Sequence, residues 1–220
     1  MRSEKVQMSR QTAPTDRTRL RRLADKAAHD KATIHAILDA GPVAHIGYIL
    51  NGAPHVTPTL HWREGDRVFW HGSAASRMLR AVDGTQVCLT VTLTDGLVLA
   101  RSGFEHSISY RSAMLFGRAE VVSDPAAKKA HLQAMMDQMF PGRWPQLRPM
   151  TVQEWTATAI LTMPINEASA KISAGMPDDA PEDRTWPVWA GIVPILTTLG
   201  APQPAPDCVP GMALPVVRFG

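Results

Sequence analysis

The residues most able to do chemistry lie in one short run, Trp70-His71-Gly72-Ser73-Ala74-Ala75-Ser76-Arg77. A strand-like stretch ends there in small residues, and a helix pattern starts with Ser76 at its N-cap and Arg77 beside it. Backbone amides, a serine hydroxyl and a guanidinium together make an anion site, and a nucleotide phosphate fits it. A capped helix start without a ligand is the plainer alternative, because serine is a common N-cap. The Ala-Ala pair permits close approach of a flat ligand. A second constellation is Thr57-Pro58-Thr59 with Trp62. A proline confines its strand to an edge or a broken ladder, so this is either a bare edge or a polar border for a ring system. A third is Ser109-Tyr110-Arg111-Ser112, a second anion or ring-edge contact or a solvated strand entrance. His71 can move a proton near neutral pH, or simply bond to backbone. The eight histidines contain no His-x-His or His-x-x-x-His pair, so spacing gives a metal or haem site no support.

The elements that must position these residues follow from periodicity. Leu20, Leu23, Ala27, Ile34, Ile37 and Leu38 recur at helical spacing, which predicts a helix over 18–40, capped by Asp16 and stopped at Gly41-Pro42. A period of two follows. Strands are expected at Val43–Ile49, His55–Trp62 and Arg67–His71, with Asn51-Gly52 as a hairpin turn and Glu64-Gly65-Asp66 as a second turn. Ser76–Val82 reads as a short helix. Gln86–Thr94 and Leu97–Ala100 read as strands around an Asp95-Gly96 turn. Ser112–Val122 alternates poorly and reads as a strand buried on both faces. Pro125 opens a helix to about Phe140, and Thr158–Ile165 is the last strong strand.

Nine of the eighteen prolines fall in residues 176–220, which excludes regular helix or central strand there. With Trp186, Trp189, Ile192 and Ile195 as apolar anchors, this is expected to be an arm packed on the barrel or on a dimer seam. Residues 1–17 are read as a flexible arm and 18–175 as the single domain. Residues 1–31 carry nine Lys/Arg against four Asp/Glu, a local charge of +5. No aromatic residues interleave them, so a solvated arm is preferred to a nucleic-acid contact. Two cysteines, Cys88 and Cys208, cannot form a zinc site, and Cys88 reads as a buried small hydrophobe. No apolar leader and no apolar run near 18 residues is seen, so no membrane span is expected and the cytoplasm is the expected compartment. The fold expected is mainly β with flanking helices, a small antiparallel split β-barrel. The absence of GxGxxG disfavours a Rossmann fold.

Taken in order, these pieces resemble the pyridoxamine 5′-phosphate oxidase-like superfamily of FMN-binding split barrels, and within it the Nim-type (nitroimidazole-resistance) flavoprotein branch. The matching pieces are Asn51–Pro58, Phe69–Ser73 with Ser76-Arg77, Cys88–Thr92, Asp95–Ser102, Tyr110–Ser112, Phe116–Ala119 and Val188–Pro194, spread over residues 18–200. The resemblance implies that His55, Val56, Thr57, Pro58, Thr59 and Leu60 run along the isoalloxazine, and that Trp70 and His71 end the next strand beside it. It implies that Ser76 and Arg77 hold the phosphate, with Met78 standing where the oxidases place a second cation. It also implies that Tyr110, Arg111, Ser112 and Trp189 border the cofactor, Ser112 from the partner subunit of a homodimer. Leu60 falls about where the oxidases carry a substrate lysine, which argues against vitamin B6 oxidation. The activity implied is FMN-dependent redox chemistry on a small aromatic or nitro compound, with His71 as a proton donor. A non-catalytic flavin- or haem-binding protein is the alternative.

Overall fold

The computed structural model describes residues 15–21 and 24–218. Most of the predicted N-terminal arm, and Leu23, lie outside the described residues. Thr15 and Arg17 both bond to the Glu167 carboxylate, so this end of the arm is tied to the domain.

The predicted long first helix is corrected. Residues 24–26 form a single 3₁₀ turn, and β1 (Ala27–Ala28) pairs with the late strand Glu167–Ser173. Only then does α1 (Lys31–Ala40) begin. Its cap is Asp30, whose carboxylate accepts from Thr33 N at 2.8 Å, and not Asp16. A side-chain cap at residue 30 satisfies the orphan amides, so the helix starts there although the apolar spacing runs further back. Ile34, Ile37 and Leu38 point inward.

A meander follows: β2 (Val43–Leu50), β3 (Ala53–Glu64) and β4 (Arg67–Ser73). Asn51 and Gly52 both have positive φ, 52° and 78°. That is the type I′ hairpin the Asn-Gly pair predicts. The short helix α2 (Arg77–Val82) has Ser76 at its N-cap. Then comes β5 (Gln86–Leu99), a single strand of 14 residues. The predicted Asp95-Gly96 hairpin is therefore corrected to a register shift between Thr94 and Gly96, a bulge within one strand. β6 (Ser107–Arg118) pairs along almost all of β5. It alternates after all, with Leu115 fully buried and Met114 40% exposed.

β7 (Glu120–Val121), α3 (Pro125–Met139), α4 (Val152–Ala157) and β8 (Thr158–Pro164) continue the chain. Beyond the predicted last strand lie β9 (Glu167–Ser173) and β10 (Gly191–Pro194). The antiparallel sheet runs β1-β9-β6-β5-β2-β3-β4-β8-β7, with β10 on the second half of β5. Its two ends carry β8 and β9, neighbours in the chain, so the sheet rolls on itself. Where β6 meets β8 the barrel closes by packing, and a Cβ at Gly117 would stand 3.2 Å from Met163 Sδ. Ile37, Ile46, Trp70, Leu89, Leu115 and Met163 belong to the core inside it. A second cluster, with Trp62, Phe69, Leu132, Met135 and Ile160, seats α3 outside. No helix among the described residues is long and apolar enough to cross a membrane.

Candidate functional site

β3 is the strand that makes a site. Its whole first half pairs with β2, from Ala53↔Leu50 to Leu60↔Val43. Its pairing with β4 covers only His61–Glu64 opposite Arg67–Trp70. Past Trp70, β4 leaves β3 and pairs only with β8, from His71↔Ile160 to Ser73↔Thr158. The sheet is thus split between β3 residues 53–60 and the segment from His71 onward. Among the described residues no strand covers that edge of β3. His61 N–H donates to Pro42 O at 3.0 Å, on the β2 side. Backbone direction alternates along a strand, so the even residues Pro54, Val56, Pro58 and Leu60 turn their polar groups to the split. Pro58 sits where its missing N–H breaks no ladder bond.

Side chains alternate too. The odd residues share a face with buried Ala44 and Ile46: His55 stacks on Tyr48 at 5.5 Å, and Tyr48 Oη lies 3.3 Å from Thr57 Oγ1. Thr59 Oγ1 donates to Leu60 O. Tyr48 was not singled out by sequence; its place opposite His55 follows once the Asn51-Gly52 turn fixes the register. Val56 is 67% exposed on the outer face.

Across the split, His71 is half-buried and its Nδ1 has no hydrogen-bond partner. Burial pushes its pKa below the ordinary value, so at neutral pH the ring is uncharged. Such an imidazole accepts a hydrogen bond or ligates a metal more readily than it donates a proton. Trp70 does not border the split. It is completely buried in the barrel core, which corrects its expected place beside a cofactor. The loop after His71 is anchored by Ala74 N–H to Ala157 O at 2.7 Å. The Ser76 hydroxyl faces Leu79 N at 3.5 Å, a weak cap that leaves the oxygen available. Arg77 is exposed and makes no ion pair among the described residues. Met78 is 7% exposed and packs into the core. Position 78 points inward, so its lack of charge is a packing requirement.

The remaining predicted residues form a second group. Pro58, His45, Thr90 and Met114 make one row across β3, β2, β5 and β6. Ser112 lies two residues along β6 from Met114. At about 4.8 Å per strand it stands roughly 14 Å from the β3 edge. Arg111 is held by Asp95 through two hydrogen bonds of 2.9 and 2.8 Å. Tyr110 carries Lys171 over its ring at 5.7 Å. Trp189 and Trp186 are each 63% exposed beside β10, so within one chain they do not pack on the barrel, whereas Ile192 is half-buried. A single chain does not bring this group to the split. Cys88 is also only half-buried, and burial pushes its thiol pKa up.

The family model described as pyridoxamine 5′-phosphate oxidase matches residues 30–172. The chain belongs to this family. Within the pyridoxamine 5′-phosphate oxidase family, it is similar to a flavocytochrome from Azotobacter vinelandii, with 46% identity over 94% of this chain and 99% of that one, at a TM-score of 0.90. It is also similar to a FAD and haem binding protein from Mycobacterium smegmatis, with 41% identity over 86% of this chain and 94% of that one, at a TM-score of 0.82. A candidate 5-nitroimidazole antibiotic resistance protein from Bacteroides thetaiotaomicron shares the fold, at 21% identity, 66% and 86% coverage and a TM-score of 0.55. No curated protein matches the chain.

Proposed function

We propose that this protein binds a flavin in the split between β3 and β4 and works as a homodimeric, cytoplasmic oxidoreductase. The observation that carries this reading is the open β3 edge facing His71 and the Ser73–Arg77 loop. The residues fit a flavin. Backbone groups of Val56, Pro58 and Leu60 offer donors and acceptors to the polar edge of a planar ring. Ser76 Oγ and Arg77, which makes no ion pair among the described residues, offer a phosphate a charge-assisted site. A bound flavin supplies hydride and single-electron chemistry, and the protein supplies orientation and electrostatics. His71 borders that environment with a ring kept neutral by burial, its Nδ1 enclosed and without a hydrogen-bond partner. The substrate proposed is a small aromatic or nitro compound.

The dimer is supported by the outer face of the sheet. Val43, Ile49, Val56 and Met114 are exposed there at 48%, 64%, 67% and 40%. Several large apolar side chains exposed on one sheet face are the kind of surface that partners cover. A two-fold axis on it would bring Tyr110, Ser112 and Trp189 of one copy toward the split of the other. Free Cys88 and Cys208 suit a reducing compartment.

The test is spectroscopic. Purified protein is expected to take up FMN or FAD, show a flavin spectrum and bleach with NADH or NADPH. Protein that takes up neither refutes the reading. The two relatives above 40% identity favour a second occupant, haem, beside the flavin. His71 is proposed as its ligand because a neutral imidazole can ligate iron. A Soret band on haem titration that His71→Ala abolishes supports that placement. An unchanged band removes it.

A further inference from the structure

Past β10 the chain leaves the barrel. Ile195 N–H donates to Asp95 O at 3.0 Å. Among the described residues the chain is next hydrogen-bonded to the body at Arg218, whose N–H donates to Met139 O at 2.9 Å. Between these two ties lie 22 residues, 196–217, without helix or strand. Their own hydrogen bonds are local, as in the turns Cys208 N–H to Ala205 O and Met212 N–H to Val209 O. Leu196, Leu199, Val209, Met212, Leu214 and Val216 are 57–82% exposed. One exposed leucine is ordinary, but six large apolar side chains on so short a segment are a surface in want of cover. Resting on the homodimer reading above, we infer that this loop is a clasp that closes over a second copy of the chain, so that two reciprocal arms lock the dimer.

Composition selects the partner. The arm's prolines, at 202, 204, 206, 210 and 215, fix φ and remove N–H donors. Pro202-Gln203-Pro204-Ala205-Pro206 is held extended before it meets a partner, so docking costs little ordering entropy. Asp207 is the arm's single charged residue. Without Lys or Arg it has nothing to neutralise nucleic-acid phosphates or to hold an anionic membrane. An apolar, nearly uncharged surface is the composition of permanent interfaces between like chains.

Position points the same way. The register His45↔Thr90, continued by two residues, sets Val43 beside Thr92. Thr92 precedes Asp95, the arm's first tie, by three residues, about 10 Å of strand. Val43 is one of the exposed side chains on the sheet face assigned to the dimer. The arm thus leaves from the border of that face and continues it. A standard interface uses about 20–30 residues from each side. One arm supplies a number of that order, and a two-fold axis supplies the arm twice.

The test is photo-crosslinking of the full-length protein, which needs no prior access to the arm. p-Benzoylphenylalanine replaces Leu199 in one variant and Cys208 in another. Irradiation at micromolar concentration is expected to give a covalent dimer on a denaturing gel. Leu199→Asp combined with Leu214→Asp is expected to raise the dimer dissociation constant about tenfold or more, as the loss of anchoring contacts does. Both side chains are mostly exposed within their own chain, so the variant keeps the circular dichroism of wild type. Dimeric wild type whose arm crosslinks only within its own chain overturns the inference and leaves the dimer reading standing. So does a double variant that dimerises as tightly as wild type. Monomeric wild type overturns both, and sedimentation of that monomer with phosphatidylcholine vesicles puts a membrane in the partner's place.

Discussion

Arg77→Ala is the sharpest probe of the phosphate assignment. Arg77 is exposed, lies at the start of α2 and makes no ion pair among the described residues. Its removal breaks nothing in the free protein, and a surface change of this kind moves stability by about 0.5 kcal/mol or less. A charge-assisted hydrogen bond to phosphate contributes about 1.5–3 kcal/mol. At 1.4 kcal/mol per decade, the flavin dissociation constant rises about 10- to 150-fold. The assay is fluorescence titration of apoprotein at fixed ionic strength, with a thermal melt as control. Arg77→Lys keeps the charge and loses the fork, so it recovers part of the affinity. A dissociation constant within twofold of wild type, at unchanged melting temperature, refutes the placement of the phosphate at this loop. Met78→Lys is the companion. Because Met78 lies in the core, the added lysine is expected to lower the melting temperature by several degrees and to bring no gain in affinity. Tighter binding by that variant contradicts the inward orientation of position 78.

Other expectations are independent of the ligand. Burial lowers the pKa values of His61 and His71 in the folded protein, while in the unfolded chain they titrate near 6.5. The unfolded state then binds more protons, so stability falls as pH drops from about 6.5 toward 5.5. Thermal melts across that window show the slope, and His71→Gln flattens it; a melting temperature that holds or rises removes the argument. Val56→Glu places a charge in the exposed apolar face and is expected to give a monomer by light scattering; a dimer that survives it points to another interface. Gly41→Ala sets a Cβ 2.6 Å from Val91 Cγ1. Such overpacking costs about 1–3 kcal/mol, measurable by urea unfolding; a neutral result means the α1–β2 junction yields.

Period-two patterning made β2, β3, β4 and β8 legible, and Asn51-Gly52 marked the turn that joins β2 to β3. Ser76 announces its helix as a local cap does, and Pro125 announces the next as a first-turn proline does. What stayed hidden depends on long-range partners. Ala27-Ala28 reads as helix until β9 offers its edge. Asp95-Gly96 reads as a turn until β6 and β10 pair across it and hold the chain straight. In the site, the segment from His55 to Leu60 and the run from His71 to Arg77 were legible as neighbours. The inward turn of Trp70 and Met78 was not, because which face is core is decided by the closure of the barrel. The distance of Ser112 from the split was equally invisible, because chain order does not say how many strands separate two residues.

The open edge of β3 carries a consequence for the protein without its ligand. An uncovered strand of this length is a template on which another chain can add a strand. Pro54 and Pro58 both turn toward that edge, so along it only Val56 and Leu60 can donate an N–H. An incoming strand finds every second rung missing, while a small ring needing two or three polar contacts finds enough. The same pair of prolines that leaves the border readable by a flat ligand thus guards the empty protein against fibrous self-association. Replacing them by valine removes that guard first, before it touches the fold.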